Sequence, residues 1–390
     1  MKSKYIIFVF VLLAHFSDGQ TFNDYLQKIE NNNKQLEAAR KLVETRKVRA
    51  HIGIYPKPFS VNYGYFPNNN TVDDQKQTLN ATQSFYMPGV YGKMKGLAKE
   101  KVSMAELVYE AERIEILYRA YKLMIRLVYF QKVHQKIEER LKNAENQLAG
   151  MKKKSNAGDA NVMEINKAKF HLLHIKRLLS QNRIEKERLK DRLKLFNGEK
   201  SLNFQLTSYP VFPDLPVDSI LAQKKEMLPS VNIADQQLNI AEKNITLEKS
   251  FNSPEFNIGY GSETVGSSSF KGVVMGASIP LWTNKNKVKA ARAEAGYRET
   301  EFQNKMLEVI SETENQYKTY ISLKQNLEEY SSTIENLGSI ELLKKSLELD
   351  QISVLDYYRE VEYYYNIYDE YLELEKDYYL ALNELYRYRL

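Results

Sequence analysis

Few side chains in this sequence are grouped in a way that could do chemistry. His171 and His174 stand three apart, a spacing that sets two imidazoles on one helix face, where they could share a transition metal. No carboxylate or further His joins them, so they read as polar helix residues; no metal site and no cofactor is expected. The chain has no Cys, which removes disulfides, thiolate metal sites and Cys nucleophiles together. No Ser-His-Asp arrangement, Gly-rich phosphate loop or paired-acid motif in a concave setting can be argued, so the chain reads as a non-enzyme. The basic knot Lys152 to Lys154 is small beside a phosphate-binding patch, and the net charge of +6 is the difference between 56 basic and 50 acidic residues. Nucleic acid is therefore not an expected partner. Tyr364, Tyr368, Tyr371, Tyr378, Leu382 and Leu385 share a helical seam broken only at Glu375, and tyrosines so placed pack with a wet hydroxyl rather than bind a ligand.

With so little chemistry to position, the elements themselves carry the information. Lys2 and Lys4 precede an apolar stretch, Tyr5 to Ala14, and then Ser17-Asp18-Gly19. That order predicts a secretory signal peptide over 1–19 and a mature chain from Gln20. The apolar stretch is too short for a membrane-spanning helix, and no later segment reaches the ~18 apolar residues a span requires. Charged residues make up 27% of the chain while Gly and Pro number only 16 and 10, a composition that favours long solvated helices over compact domains.

Self-similarity organises the chain. Pro88 matches Pro280, Lys93 matches Lys285, Ala98 matches Ala290, Val162 matches Val354 and Glu164 matches Asp356, always with a difference of 192. The expected division is a first repeat over 20–198, a linker over 199–221 and a second repeat over 222–390. Each repeat opens with a helical stretch, Thr21 to Arg49 or Ala222 to Ser250. Two alternating segments follow, Phe59 to Phe66 with Thr78 to Tyr86, or Phe256 to Tyr260 with Val273 to Ile279, and each pair predicts a hairpin. A long helix then starts past Pro88-Gly89 or Pro280 and runs to about Met151 or Leu347. At ~1.5 Å per residue its ~60 residues make a rod of roughly 90 Å. Apolar residues spaced 4, 3, 4, 3, as in Ile137, Leu141, Ala144, Leu148 and Met151 and again in Leu323, Leu327, Tyr330, Ile334 and Leu337, predict a coiled-coil seam. Turns at Ser155 to Gly158 and at Glu348 to Gln351 lead into return helices.

The strands set a physical problem. Leu79, Ala81 and Phe85 alternate with Thr78, Asn80, Thr82 and Ser84, as in a wall with one lipid face and one wet face. Tyr55, Phe66, Tyr86, Tyr91, Phe251 and Trp282 crowd the segment ends, like the aromatic girdles of membrane proteins. An open sheet cannot sit in lipid with unpaired edge amides. Closure must come from other chains, and three chains of four strands make a twelve-stranded barrel.

The segment GASIPLWTNKNKVKAARAEA, which begins at Gly276, and its looser copy SFYMPGVYGKMKGLAKEK, which begins at Ser84, resemble the strand-to-helix junction of the TolC family of outer-membrane factors. The strand starts at Pro58 before Gly64-Tyr65 and Pro254 before Gly259-Tyr260 are similar to that family too, and the resemblance spans the mature chain. It implies a mainly α fold with a small β part. Long antiparallel coiled-coil helices and four strands per chain would contribute to a trimeric 12-stranded outer-membrane β-barrel and an α-helical periplasmic tunnel. The implied function is passive conduction in a tripartite efflux or type I export system of a Gram-negative bacterium, with a periplasmic adaptor and an inner-membrane pump as partners. The family's adaptor-contacting tip corresponds here to Gly158, Asp159, Ala160 and Asn161, and to Asp350, Gln351, Ile352 and Ser353. Its aperture positions correspond to Asp356, with Glu164 as the copy in the other repeat, and to Arg359. The alternative from the helices alone is a soluble periplasmic coiled-coil scaffold or adaptor, which would have no use for aromatic-bounded strands.

Overall fold

A computed structural model of the chain describes residues 21–67, 75–157, 161–282, 284–336, 340–349 and 351–390. In chain order it contains α1 (Phe22–Asn32), α2 (Lys34–Ala50), β1 (Ser60–Phe66), β2 (Lys76–Tyr86), α3 (Pro88–Asn156) and α4 (Val162–Phe196). Then follow α5 (Val217–Met227), α6 (Pro229–Ser250), β3 (Glu255–Val265), β4 (Ser268–Ser278), α7 (Lys285–Asn336), α8 (Ile340–Glu348) and α9 (Val354–Leu385). The fold is mainly α, with one four-stranded antiparallel sheet in the order β1-β2-β3-β4. Elements recur at the sequence offset: β4 begins 268 − 76 = 192 residues after β2, and α9 begins 354 − 162 = 192 residues after α4.

The chain divides into two compact units. The first joins α1 to Leu123–Val211. Its rod is the part of α3 beyond Leu123 lying against α4, and the 4, 3 spacing explains why they pair. Ile137 and Ala144 from one helix and Ile175 and Leu179 from the other are buried together, with Leu141 beside them. A polar layer crosses the seam: Asn182 donates to the Phe130 carbonyl oxygen at 3.1 Å and faces His134 Nδ1 across 3.1 Å. At the α1 end, Tyr25 packs on Phe204 and donates its hydroxyl to the Asn203 carbonyl oxygen at 2.8 Å.

The second unit, Asn32–Lys122 with Phe212–Leu390, contains the whole sheet. Where the strands meet the helices, Val90, Leu97 and Leu247 are buried among Tyr86, Met94 and Phe251. Further along, α5, α7 and α9 enclose Ile220, Val309, Tyr320, Leu382 and Leu385. Asp214, in the segment before α5, accepts from the Tyr320 hydroxyl at 3.0 Å and from Lys324 Nζ at 2.9 Å. Those donors, Lys324 first, hold its carboxyl below the ordinary range.

The structure refines several expected boundaries. The first helical stretch is two helices, because the Asn33 side chain accepts from Leu36 N at 3.0 Å and so caps a new helix rather than continuing the old one. The second is likewise split before Pro229, which has no N–H to donate and holds Leu228 extended at φ −72° and ψ 118°. The strands of the second hairpin run to Val265 and start at Ser268, longer than the alternation suggested, because Gly266 turns the chain at φ 57°. The second long helix, expected to reach Leu347, is described as α7 up to Asn336 and as α8 from Ile340 to Glu348. Residues 337–339 between them lie outside the described residues, as do Gly158, Asp159, Ala160 and Asp350.

Candidate functional site

Register decides which side chains share a face of the sheet, since directly opposed residues project the same way. Tyr63 is opposite Leu79, Phe85 opposite Phe256, Ile258 opposite Met275, and Tyr260 opposite Val273. Val61 and Ala81 continue this apolar face. Its residues are far more exposed than such residues tolerate in water: Tyr63 is 64% exposed, Val273 68% and Met275 74%. The other face carries Asn62, Thr78, Asn80, Thr82, Ser84, Asn257 and Glu263, with Lys76 and Glu263 paired at 2.8 Å. At Gly259 and Gly276 on this face the strands leave no room for a side chain. A Cβ on Gly259 would collide with the Ala81 carbonyl oxygen, and one on Gly276 would lie 2.6 Å from Asn257 Oδ1. Among the described residues β1 and β4 each have one neighbour only, so both outer edges of the sheet are unpaired there.

The sheet is fastened to the helices by a polar and aromatic collar. Lys57 Nζ reaches Glu255 Oε2 at 2.7 Å and lies over the Tyr86 ring. Tyr91 Oη accepts from Tyr86 N at 3.1 Å, and Asn284 Nδ2 donates to the Phe251 carbonyl oxygen at 2.6 Å. Trp282 stands 76% exposed beside this collar.

At the opposite ends of the long helices the sequence singled out the turns before α4 and α9. Asn161 is the N-cap of α4: its Oδ1 accepts from Met163 N at 2.6 Å, and its own N–H donates to Glu164 Oε2 at 3.0 Å. Ser353 plays the same part for α9, accepting from Asp356 N at 3.1 Å while its hydroxyl donates to Asp356 Oδ2 at 2.6 Å. Glu164 and Asp356 are thus the carboxylates of two matching caps, a role legible in Asn161-x-x-Glu164 and Ser353-x-x-Asp356 but not drawn from the sequence. Arg359 forks toward Asp356 Oδ1 at 2.8 Å and Glu360 Oε1 at 3.5 Å. The Ser353 hydroxyl first, and then the Arg359 charge, keep the Asp356 carboxyl below the ordinary range, so it is ionised at neutral pH. Gln351 and Ile352 lie in the turn just ahead of this cap.

His171 and His174 both fall within α4, and among the described residues no cluster of three or more metal-ligating side chains forms around them or elsewhere. The C-terminal tyrosines pack: Tyr364 stacks on Tyr368, and Tyr378 meets Tyr320 of α7.

This arrangement of two hairpins in one sheet with paired long helices recurs among solved structures. CusC, in a structure described as showing conformational changes accompanying folding and transmembrane channel formation, is 16% identical with a TM-score of 0.78, covering 99% of this chain and 98% of its own. The chain has the TolC-like channel fold. The CmeC outer-membrane channel of Campylobacter jejuni shares it at 15% identity and TM-score 0.72, over 94% of this chain and 85% of that one. So does the outer-membrane protein VceC of Vibrio cholerae, at 11% identity and TM-score 0.75, over 93% and 95%. No family model and no curated protein sequence matches the chain. At these identities the likeness is one of fold.

Proposed function

We propose that the chain is the subunit of a trimeric outer-membrane channel that passively conducts substrate in a tripartite efflux or type I export system. The observation that carries this reading is the sheet: four strands with two unpaired edges, one face of exposed large apolar residues and the other polar and glycine-lined. A sheet of that kind is stable in lipid only when its edges are closed, because each unpaired amide there costs several kcal/mol. Three chains closing end to end make a twelve-stranded barrel whose apolar face meets lipid and whose polar face lines the duct. The fold shared with the outer-membrane channels CmeC and OprN supports the same reading.

In this reading residues 1–19 are removed on export, and 20–198 and 222–390 act as two repeats joined by 199–221. The helices extend into the periplasm of a Gram-negative cell. A periplasmic adaptor grips the turns at Gly158, Asp159, Ala160 and Asn161 and at Asp350, Gln351, Ile352 and Ser353, with energy supplied by an inner-membrane pump. Asp356, Glu164 and Arg359 border the aperture behind those turns. Nothing in this mechanism calls for catalysis or a cofactor.

Membrane fractionation and mass in mild detergent test the reading together. The protein is expected in the outer membrane, at three times the mass of the mature chain. Recovery as a detergent-free monomer from the periplasm would overturn it in favour of a soluble coiled-coil scaffold.

A further inference from the structure

Both long helices that leave the sheet carry matching pairs of lysines close to their starts. Lys93 and Lys95 lie just beyond the first turn of α3, Lys285 and Lys287 in the first turn of α7, and the two pairs match at the repeat offset, 285 − 93 = 192 and 287 − 95 = 192. No acidic residue stands in the first turn of either helix. In α7 that positive charge opposes the helix dipole. Lys95 with Lys99, and Lys285 with Lys289, add like charges four residues apart, which repel on one face. All six side chains are exposed, and among the described residues no carboxylate lies within ion-pair distance of any of them. By contrast Lys57 and Lys243, close by, each have a glutamate partner. Beside this cluster a cavity of about 530 Å³ is lined by His51, Tyr55, Tyr91 and Lys95. It sits at the collar, with Tyr55 77% exposed.

Two helix starts that carry the same uncompensated charge, directly beneath an apolar sheet face and next to an aromatic cavity, are built for an external anionic layer. We propose that these lysines form a belt that binds the anionic phospholipid headgroups of the membrane leaflet on the helical side of the sheet, with the His51–Lys95 cavity seating one headgroup phosphate. Tyrosine rings would lie at headgroup depth while the lysine stems follow the apolar surface and lift their ammonium groups to the phosphates. The inference rests on the sheet being inserted in a membrane.

The test uses the full-length protein, stripped of lipid in mild detergent. Native mass spectrometry would then follow its retention of phosphatidylglycerol against phosphatidylcholine. In parallel, insertion into phosphatidylcholine vesicles is read by conductance, so that failure to insert strikes the channel reading and not the belt. The wild type is expected to retain phosphatidylglycerol preferentially. The variant K93Q/K95Q/K285Q/K287Q should insert as before and lose that preference by about fivefold or more, from roughly fivefold per charge near an anionic surface. The fourfold Lys→Arg variant should keep it. Equal retention of both lipids by the wild type, or unchanged preference in the Gln variant, would overturn the proposal. So would displacement of the lipid by millimolar inorganic phosphate, which would mark a site for free anions instead.

Discussion

Val273 and Val274 are neighbours of one residue type at the middle of β4, yet the register sends them to opposite faces. Val273 opposes Tyr260 on the apolar face and is 68% exposed; Val274 opposes Gly259, and its Cγ2 lies against Gly261 on the polar face. If the apolar face meets lipid, lysine at Val273 must place an ammonium near the bilayer midplane, which costs about 2–4 kcal/mol per chain on a barrel's lipid face. Three symmetry copies bring this to roughly 6–12 kcal/mol per trimer, before any relief by snorkelling. Lysine at Val274 enters the wet duct and should change stability by less than about 1 kcal/mol. The assay is urea unfolding of protein reconstituted in liposomes, followed by the loss of the folded trimer band on unheated gels. Val273→Lys should lower the midpoint sharply or abolish insertion, and Val274→Lys should leave it near wild type. Equal effects at the two positions, or the larger effect at Val274, would refute the assignment of faces.

Three further outcomes follow from groups outside the sheet. Lys224 is buried between α5 and α7, where its Nζ donates to Gln316 Oε1 at 2.6 Å. Burial pushes its pKa down to about 8, well below the 10.5 of a free lysine. The unfolded chain therefore holds more protons than the folded one between those values, so stability should climb as pH rises from about 8 to 10.5. Lys224→Met should raise stability at pH 7 by about 2 kcal/mol and flatten that climb in thermal melts, whereas an unchanged pH profile would contradict the burial argument. Asp356→Asn removes one negative charge per chain and leaves Arg359 with Glu360 alone, so cation selectivity in planar bilayers should fall while trimer mass stays constant. Asp159→Ala or Gln351→Ala should impair export in cells without changing the conductance of the isolated channel.

The parts of the fold that were legible in the sequence are those governed by one local rule. The 4, 3 spacing of Ile137, Leu141 and Ala144 is a helix seam whatever surrounds it, and Ile137 and Ala144 are buried in it. The alternation of Leu79, Ala81 and Phe85 with Thr78, Asn80 and Thr82 is a two-faced strand. What misled were places where a short cap competes with a continuing apolar pattern. Asn33 and Pro229 each end a helix by one hydrogen-bonding decision that periodicity averages over. The candidate aperture shows the same limit more sharply. The resemblance selected Asp356 and Glu164 for their charge, but in each case that charge also completes a helix cap, a role visible only when Ser353 and Asn161 are read together with the residue three positions on.

The sheet also constrains how the two halves of the sequence can fold. β1 with β2, and β3 with β4, are hairpins that form locally, but a lone two-stranded ribbon is marginal in water. The join between them is the β2 to β3 pairing, which runs without a break from Lys76 opposite Val265 to Tyr86 opposite Glu255. Its partners are separated by the whole of α3, α4, α5 and α6, so that closure carries a larger loop-entropy cost than either hairpin. The close approach of Gly259 to the Ala81 carbonyl lies on this same pairing, and any larger residue there would push β3 off β2. The strand pair that unites the two halves is consequently the pairing of greatest sequence separation in the sheet, and at Gly259 it has no room for side-chain bulk.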